Sequence, residues 1–194
     1  VRDRNNREGG FRYAGARTKD KFIDYVKKLE DCSYAYKELI SPKSIEDSNT
    51  LGDSRTKIKK LRVAIELFKK TNFSQFYPMY LALRFRHADI DVIYKYIKFI
   101  EKIYVNFILV FEKSPSLIEN ELSRMATEIY NNDVQDKSFN DLLNNHIEEI
   151  NNFAIEKNIE NEKFVQLFSK INVNNELSKY ILLNKIIEND NSFP

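Results

Sequence analysis

The sequence predicts an all-α protein, an irregular multi-helix bundle of about seven or eight helices around one long central helix. Three observations lead there: a long apolar run with helical period near the middle, amphipathic runs of the same period on both sides of it, and no credible strand run anywhere. The central run is 90–111, IDVIYKYIKFIEKIYVNFILVF. Its apolar positions Val92, Ile93, Tyr96, Ile97, Ile100, Ile103, Tyr104, Phe107, Ile108 and Phe111 fit a 3.6-residue period. Asp91, Lys95, Lys98, Glu101 and Lys102 share one side of the first three turns. From Tyr104 to Phe111 only Asn106 is clearly polar, so the second half is expected to be enclosed on nearly every side. Five charges in these 22 residues argue against a membrane span, where each is costly at mid-bilayer.

Taken in order, residues 1–17 hold three of the four glycines and five arginines without a sustained period. They read as an Arg/Gly-rich leader or the tail of a preceding domain. Thr18 is placed to cap a helix whose positions Phe22, Val26, Leu29, Ser33, Tyr36 and Ile40 step by four and three, and Pro42 ends it. A polar connector, 41–54, leads to a second helix opened by Asp53 or Ser54, with Ile58, Leu61, Ile65 and Phe68 inward and lysines and arginines over most of the rest. Ser74 is a candidate cap for a third helix, in whose first turn Pro78 loses only an amide proton that has no intrahelical partner there.

After the central helix, Ser114 and Pro115 form a cap-and-first-position pair ahead of Ile118, Leu122, Met125 and Ile129. Ser138 with Asp141 opens the next helix, which carries Leu142, Leu143, Ile147, Ile150 and Ala154. Two shorter helices are expected at 161–171 and 175–188. The bundle domain therefore covers 18–189, with 190–194 as a tail. No internal repeat recurs, which disfavours a solenoid.

One cysteine, Cys32, excludes a disulfide framework within the chain, and nothing resembles a secretory signal, so a cytoplasmic setting is expected. Lacking an initial Met, the chain reads as a fragment of something longer. The net charge of +2 divides unevenly: residues 1–113 carry 24 Lys and Arg against 15 Asp and Glu, or +9, and residues 114–194 carry 7 against 14, or −7. A basic half suits phosphate neutralisation, and it equally suits docking on an acidic neighbour or simple solvation.

No self-contained active site emerges. Phosphate-cradling loops need glycine, and none follows Gly52. His87 and His146 lie 59 residues apart and outside any HExxH, HxH or Cys/His ligand set, so no metal site or cofactor is expected. His87, at a helix end, is expected to satisfy terminal carbonyls, and His146 to be solvated or half-packed. Neither has an arginine at the spacing used by RNA-cleaving helical enzymes. Cys32 is expected to pack as a small apolar residue, and the pairs Glu119/Glu121, Glu148/Glu149 and Glu160/Glu162 to be solvated faces. The remaining candidates are for nucleic-acid contact: Arg12 and Arg17 beside Phe11 and Tyr13, then Lys57, Lys59, Lys60 and Arg62, and Arg84 with Arg86 before His87. No base-reading motif accompanies them.

Several segments resemble the helical region of GmrSD-type, modification-dependent restriction endonucleases: KFIDYVKKL with Tyr36 after it, FYPMYLALRF at 76–85, IEKIYVNFILV, ENELSRMATEIYN, and LSKYILLNKIIEN at 177–189. Proteins of that family join an N-terminal ParB/sulfiredoxin-like domain, a helical middle and a C-terminal HNH nuclease domain. The DGQQR-like motif of the first domain and the HNH motif of the last are both absent here. Where many relatives have an arginine in the central helix, this chain has Val105 and Asn106. The resemblance thus implies a non-catalytic scaffold joining two active domains, partnered by those domains of the parent chain and by duplex DNA through its basic half. The competing expectation is a protein–protein interaction module with no nucleic-acid role.

Overall fold

The computed structural model describes residues 15–45, 53–131, 139–159 and 161–168, without side chains at 15–19, 53, 54, 161, 162 and 165. Among these residues every regular element is a helix: α1 (Gly15–Ile40), a three-ten turn (Pro42–Ser44), α2 (Asp53–Lys70), α3 (Tyr77–Phe85), α4 (Ile90–Ile103), a π-helical continuation (Tyr104–Val110), α5 (Ser116–Asn131), α6 (Phe139–Glu156) and α7 (Asn161–Phe168). The all-α expectation holds. No helix among the described residues is long and apolar enough to cross a membrane.

The core forms where apolar stripes meet. Helix α4 packs on α2, α3 and α6, and the short α3 packs against both α1 and α5. In α2 the expected Ile58, Leu61, Ile65 and Phe68 are all buried, and in α5 so are Ile118, Leu122, Met125 and Ile129. Phe68, Phe73, Phe76 and Tyr104 join α2, the α2–α3 turn and the π segment, with Phe68 ring centroids 5.5, 4.8 and 5.6 Å from the other three. Such tilted and edge-on aromatic pairs add to the gain from burial itself.

A chain poor in glycine must end its helices with other residues. Asn72, His87 and Asn158 take left-handed backbone angles (φ 56, 52 and 55°) immediately after α2, α3 and α6. Each is followed by a residue whose N–H reaches back to a carbonyl of the last turn, as Phe73 does to Phe68 at 2.8 Å and Ala88 to Leu83 at 3.0 Å. This is the Schellman pattern, with the hydrophobic contact that accompanies it supplied by Phe68 and Phe73. His87 therefore caps through its backbone, with its side chain in solvent, and not through its imidazole.

Three local expectations are corrected. Helix α1 begins at Gly15, inside the segment read as leader, so Thr18 lies within the helix. Helix α3 starts at Tyr77 with no side-chain cap from Ser74, whose carbonyl instead accepts from the Tyr77 N–H at 3.0 Å. In α4 the capping is done by Asp89, which accepts from the Val92 N–H at 2.8 Å. Beyond Ile103 the rod widens into a π-helix, with Val105, Asn106, Ile108 and Leu109 only half-buried. The segment 175–188, expected to be helical, lies outside the described residues.

Candidate functional site

The basic residues proposed for nucleic acid are largely engaged with the protein itself. Lys57 Nζ lies 3.0 Å from Asp91, joining α2 to the start of α4. Arg62 donates to the Ile45 carbonyl and Lys69 to the Ile40 carbonyl, so α2 secures both ends of the three-ten turn that follows α1. Arg84 donates through Nε to Glu38 at 2.7 Å and through a second bond from its other nitrogen, and the Tyr80 hydroxyl donates to the same carboxylate at 2.8 Å. Burial opposes the Arg84 charge most strongly, but the Glu38 bond together with the charges of Tyr80 and Glu38 outweighs it and raises the pKa. Burial, then the Glu38 charge, also raises the pKa of Tyr80. Lys59, Lys60 and Arg86 are half-buried. Arg12 lies outside the described residues and the Arg17 side chain is not described.

Helix α1 carries an apolar face with no cover among the described residues. The expected inward stripe is on the outside: Phe22 is 66% exposed, and Val26, Leu29, Tyr36 and Ile40 are 45, 52, 51 and 49% exposed, joined by Ile23, Tyr25 and Tyr34. Of the described α1 side chains only Ala35, Glu38 and Leu39 are buried. Cys32, expected to be packed, is exposed. Part of this face forms one wall of a groove of about 880 Å³, with α3 as floor and α5 as the far wall. Tyr25 and Leu29 face it from α1, Leu81 and Phe85 from α3, and Thr127 and Tyr130 from α5. The groove has apolar surfaces and helical walls, and neighbouring helices pack at interaxial distances of about 8–10 Å.

Among the described residues, a polar cluster with metal-ligating side chains lies elsewhere, at the α5–α6 junction. His146, expected to be solvated or half-packed, is fully buried, and Ile147 takes the exposed position instead. The His146 Nε2 is 3.1 Å from Glu128 Oε2, and its ring meets Tyr96 of α4 edge-on at 6.1 Å. Burial lowers the His146 pKa below its ordinary 6.5 against the opposing pull of Glu128, so the imidazole is neutral at neutral pH. Arg124 gathers the carboxylates, reaching Glu149 at 2.6 Å, Glu121 at 3.3 Å, and Glu128. Chiefly the Glu149 bond raises its pKa. The Tyr96 hydroxyl and His146 Nδ1 are buried without a hydrogen-bond partner among the described residues. Burial, and then the Glu128 charge, raises the Tyr96 pKa.

Spacing rules missed this cluster because its members come from two helices, with 18 residues separating Glu128 from His146. The usable signal was His146-x-x-Glu149, which puts an imidazole and a carboxylate on one helical face. Compared with known proteins, the chain matches no family model, no curated protein and no solved structure.

Proposed function

We propose that this chain is a non-catalytic helical scaffold domain of a DNA restriction-defence protein, and that it holds a neighbouring domain of its parent through the outward face of α1. The single observation that carries the docking role is the stripe from Phe22 to Ile40, which no described residue covers. Burying each of those large side chains is worth about 1.5–3 kcal/mol, and a row continuous with an apolar groove fits an amphipathic helix of the partner. The resemblance of the helical segments to the middle of GmrSD-type restriction endonucleases supports the setting. In that setting the chain joins a nucleotide-dependent domain on its N-terminal side to an HNH nuclease domain on its C-terminal side, within the cytoplasm.

The test uses the domains encoded next to this one in the parent gene, added in trans and titrated calorimetrically. Phe22→Glu with Leu29→Glu is expected to leave the melting temperature within about 2 °C, since both positions are solvated, and to weaken docking at least about tenfold. Undiminished docking by the double variant, or no docking by the unmodified chain, overturns the proposal.

A second reading, weak duplex-DNA contact, is favoured by the +9 balance of residues 1–113. It is weakened by the protein partners of Lys57, Arg62 and Arg84. Anisotropy with duplex DNA separates the two: an affinity falling steeply with salt supports contact, and no binding at low salt removes it.

A further inference from the structure

We propose that Glu128, His146 and Glu149 form a site for a divalent transition metal of the zinc class, in which the ion takes the place held in this structure by the Arg124 guanidinium. One ligand atom from each of the three residues falls within 4.8 Å of the other two. A tetrahedral ion with bonds of about 2.0–2.2 Å holds its ligands roughly 3.3 Å apart, so rotation of two surface carboxylates by about an ångström or so closes the set. The His146 ring needs no such movement, because burial and the Tyr96 ring already fix it; when Nε2 ligates, the ring proton now shared with Glu128 sits on Nδ1.

The donor set selects the metal. One imidazole nitrogen and two carboxylate oxygens suit zinc, cobalt or manganese, whereas calcium and magnesium take oxygen alone. The local charge also calls for more than one positive unit. Glu121, Glu128 and Glu149 surround one guanidinium, three negative charges against one positive, and a divalent ion in place of that guanidinium lowers the local excess from two negative charges to one.

A second observation points into the same place. The Tyr96 hydroxyl is fully buried beside the cluster with no acceptor among the described residues, and Glu128 is the charge that acts on it. Carboxylates that bind metals are steadied by such donors, and a Glu128 carboxylate drawn toward His146 by an ion offers its second oxygen to one. The outer side is open, since the Arg124, Glu128 and Glu149 side chains are 41, 38 and 43% exposed. Arg124 can therefore swing into solvent, leaving an entry path and a position for water on the ion.

The test is titration of the intact chain with Zn²⁺ and, separately, with Co²⁺, whose visible absorption reports its geometry and ligands. One ion per chain is expected, with no thiolate-to-cobalt charge-transfer band. Glu149→Gln weakens binding about tenfold or more, and Arg124→Ala, which removes the competing cation, strengthens it by a similar factor. Both positions are exposed, so circular dichroism before titration is expected to show both variants folded. Should Glu149→Gln unfold, the direction of the Arg124→Ala change decides alone. No saturable binding, unchanged affinity in either variant, or a charge-transfer band placing the ion on Cys32 overturns the proposal and leaves the cluster as an ion-pair network joining α5 to α6.

Discussion

Replacing Glu38 by Gln tests how α1 is held, and the structure sets the size of the effect. Of the described α1 side chains only Ala35, Glu38 and Leu39 are buried, so one carboxylate carries a large share of the attachment to α3. It receives the Tyr80 hydroxyl at 2.8 Å and two bonds from Arg84, one of them at 2.7 Å. Each hydrogen bond to a charged group contributes about 1.5–3 kcal/mol, and breaking a fully buried pair costs about 3–5 kcal/mol. Two features reduce that figure here. The Arg84 side chain is 33% exposed, so solvent takes up part of its orphaned charge, and glutamine keeps one oxygen able to accept from Tyr80. The net loss is about 2 kcal/mol, which for a chain of this length lowers the melting temperature by about 4–8 °C.

The assay is thermal and urea unfolding followed by circular dichroism, run as a double-mutant cycle with Arg84→Ala. A coupling energy of about 1–2 kcal/mol is expected between the two positions. Additivity within about 0.3 kcal/mol, or a melting shift below about 1 °C, refutes the view that this clamp fastens α1.

Three further outcomes follow from the packing. Phe68→Ala removes the ring shared by three aromatic contacts and costs about 3–5 kcal/mol, whereas Phe22→Ala, at the most exposed ring of α1, changes stability by less than about 0.5 kcal/mol; equal effects in urea titrations contradict the assignment of inside and outside. Glu112, exposed at φ 49° where the chain leaves the π segment, gains about 1 kcal/mol on replacement by glycine; a drop in melting temperature contradicts it. Burial raises the Glu101 pKa above its ordinary 4.5, more than Lys98 at 2.6 Å and then Lys60 lower it. The folded state therefore holds this proton more tightly than the unfolded chain does, and stability present below pH 4.5 is lost as pH rises through the folded pKa. Glu101→Gln is accordingly more stable than the parent at pH 7 and no more stable at pH 4; denaturant midpoints showing the reverse order refute the sign.

Hydropathy period made the helices legible and did less for their orientation. In α2 and α5 the periodic residues are the buried ones, because each of those helices lies against partners over most of its length. In α1 the same step of four and three marks a real stripe on the outer side, while burial falls on Ala35, Glu38 and Leu39, about 100–160° round the helix at 100° per residue. A repeat records which residues share a face; whether that face has something to press against depends on the rest of the chain. Basic runs have the same limitation. Lys57, Arg62 and Arg84 look alike in sequence whether they face phosphate or a carbonyl and a carboxylate of their own fold, and partners 17 to 46 residues away decide it. Within YVNFILV no glycine or proline marks the change from α to π winding.

Helix α6 shows the converse, where choosing the more apolar neighbour goes wrong. Ile147 and His146 are adjacent, and hydropathy puts the isoleucine inside. The fold keeps Leu142, Leu143 and Ile150 inward as expected but takes His146 with them, burying the imidazole against Tyr96 and Glu128 and leaving Ile147 36% exposed. Burying the histidine requires a partner for at least one ring nitrogen, since an unpaired polar atom costs about 1–3 kcal/mol, and Glu128 on the facing helix supplies it. That substitution is what brings an imidazole, two carboxylates and a buried hydroxyl to one junction. With Ile147 inward instead, α5 and α6 would meet through aliphatic side chains, and Glu128 and Glu149 would remain the solvated charges that their sequence suggests. The orientation of this one helix therefore determines both the hydrophobic contact between α5 and α6 and whether the chain has a place for an ion.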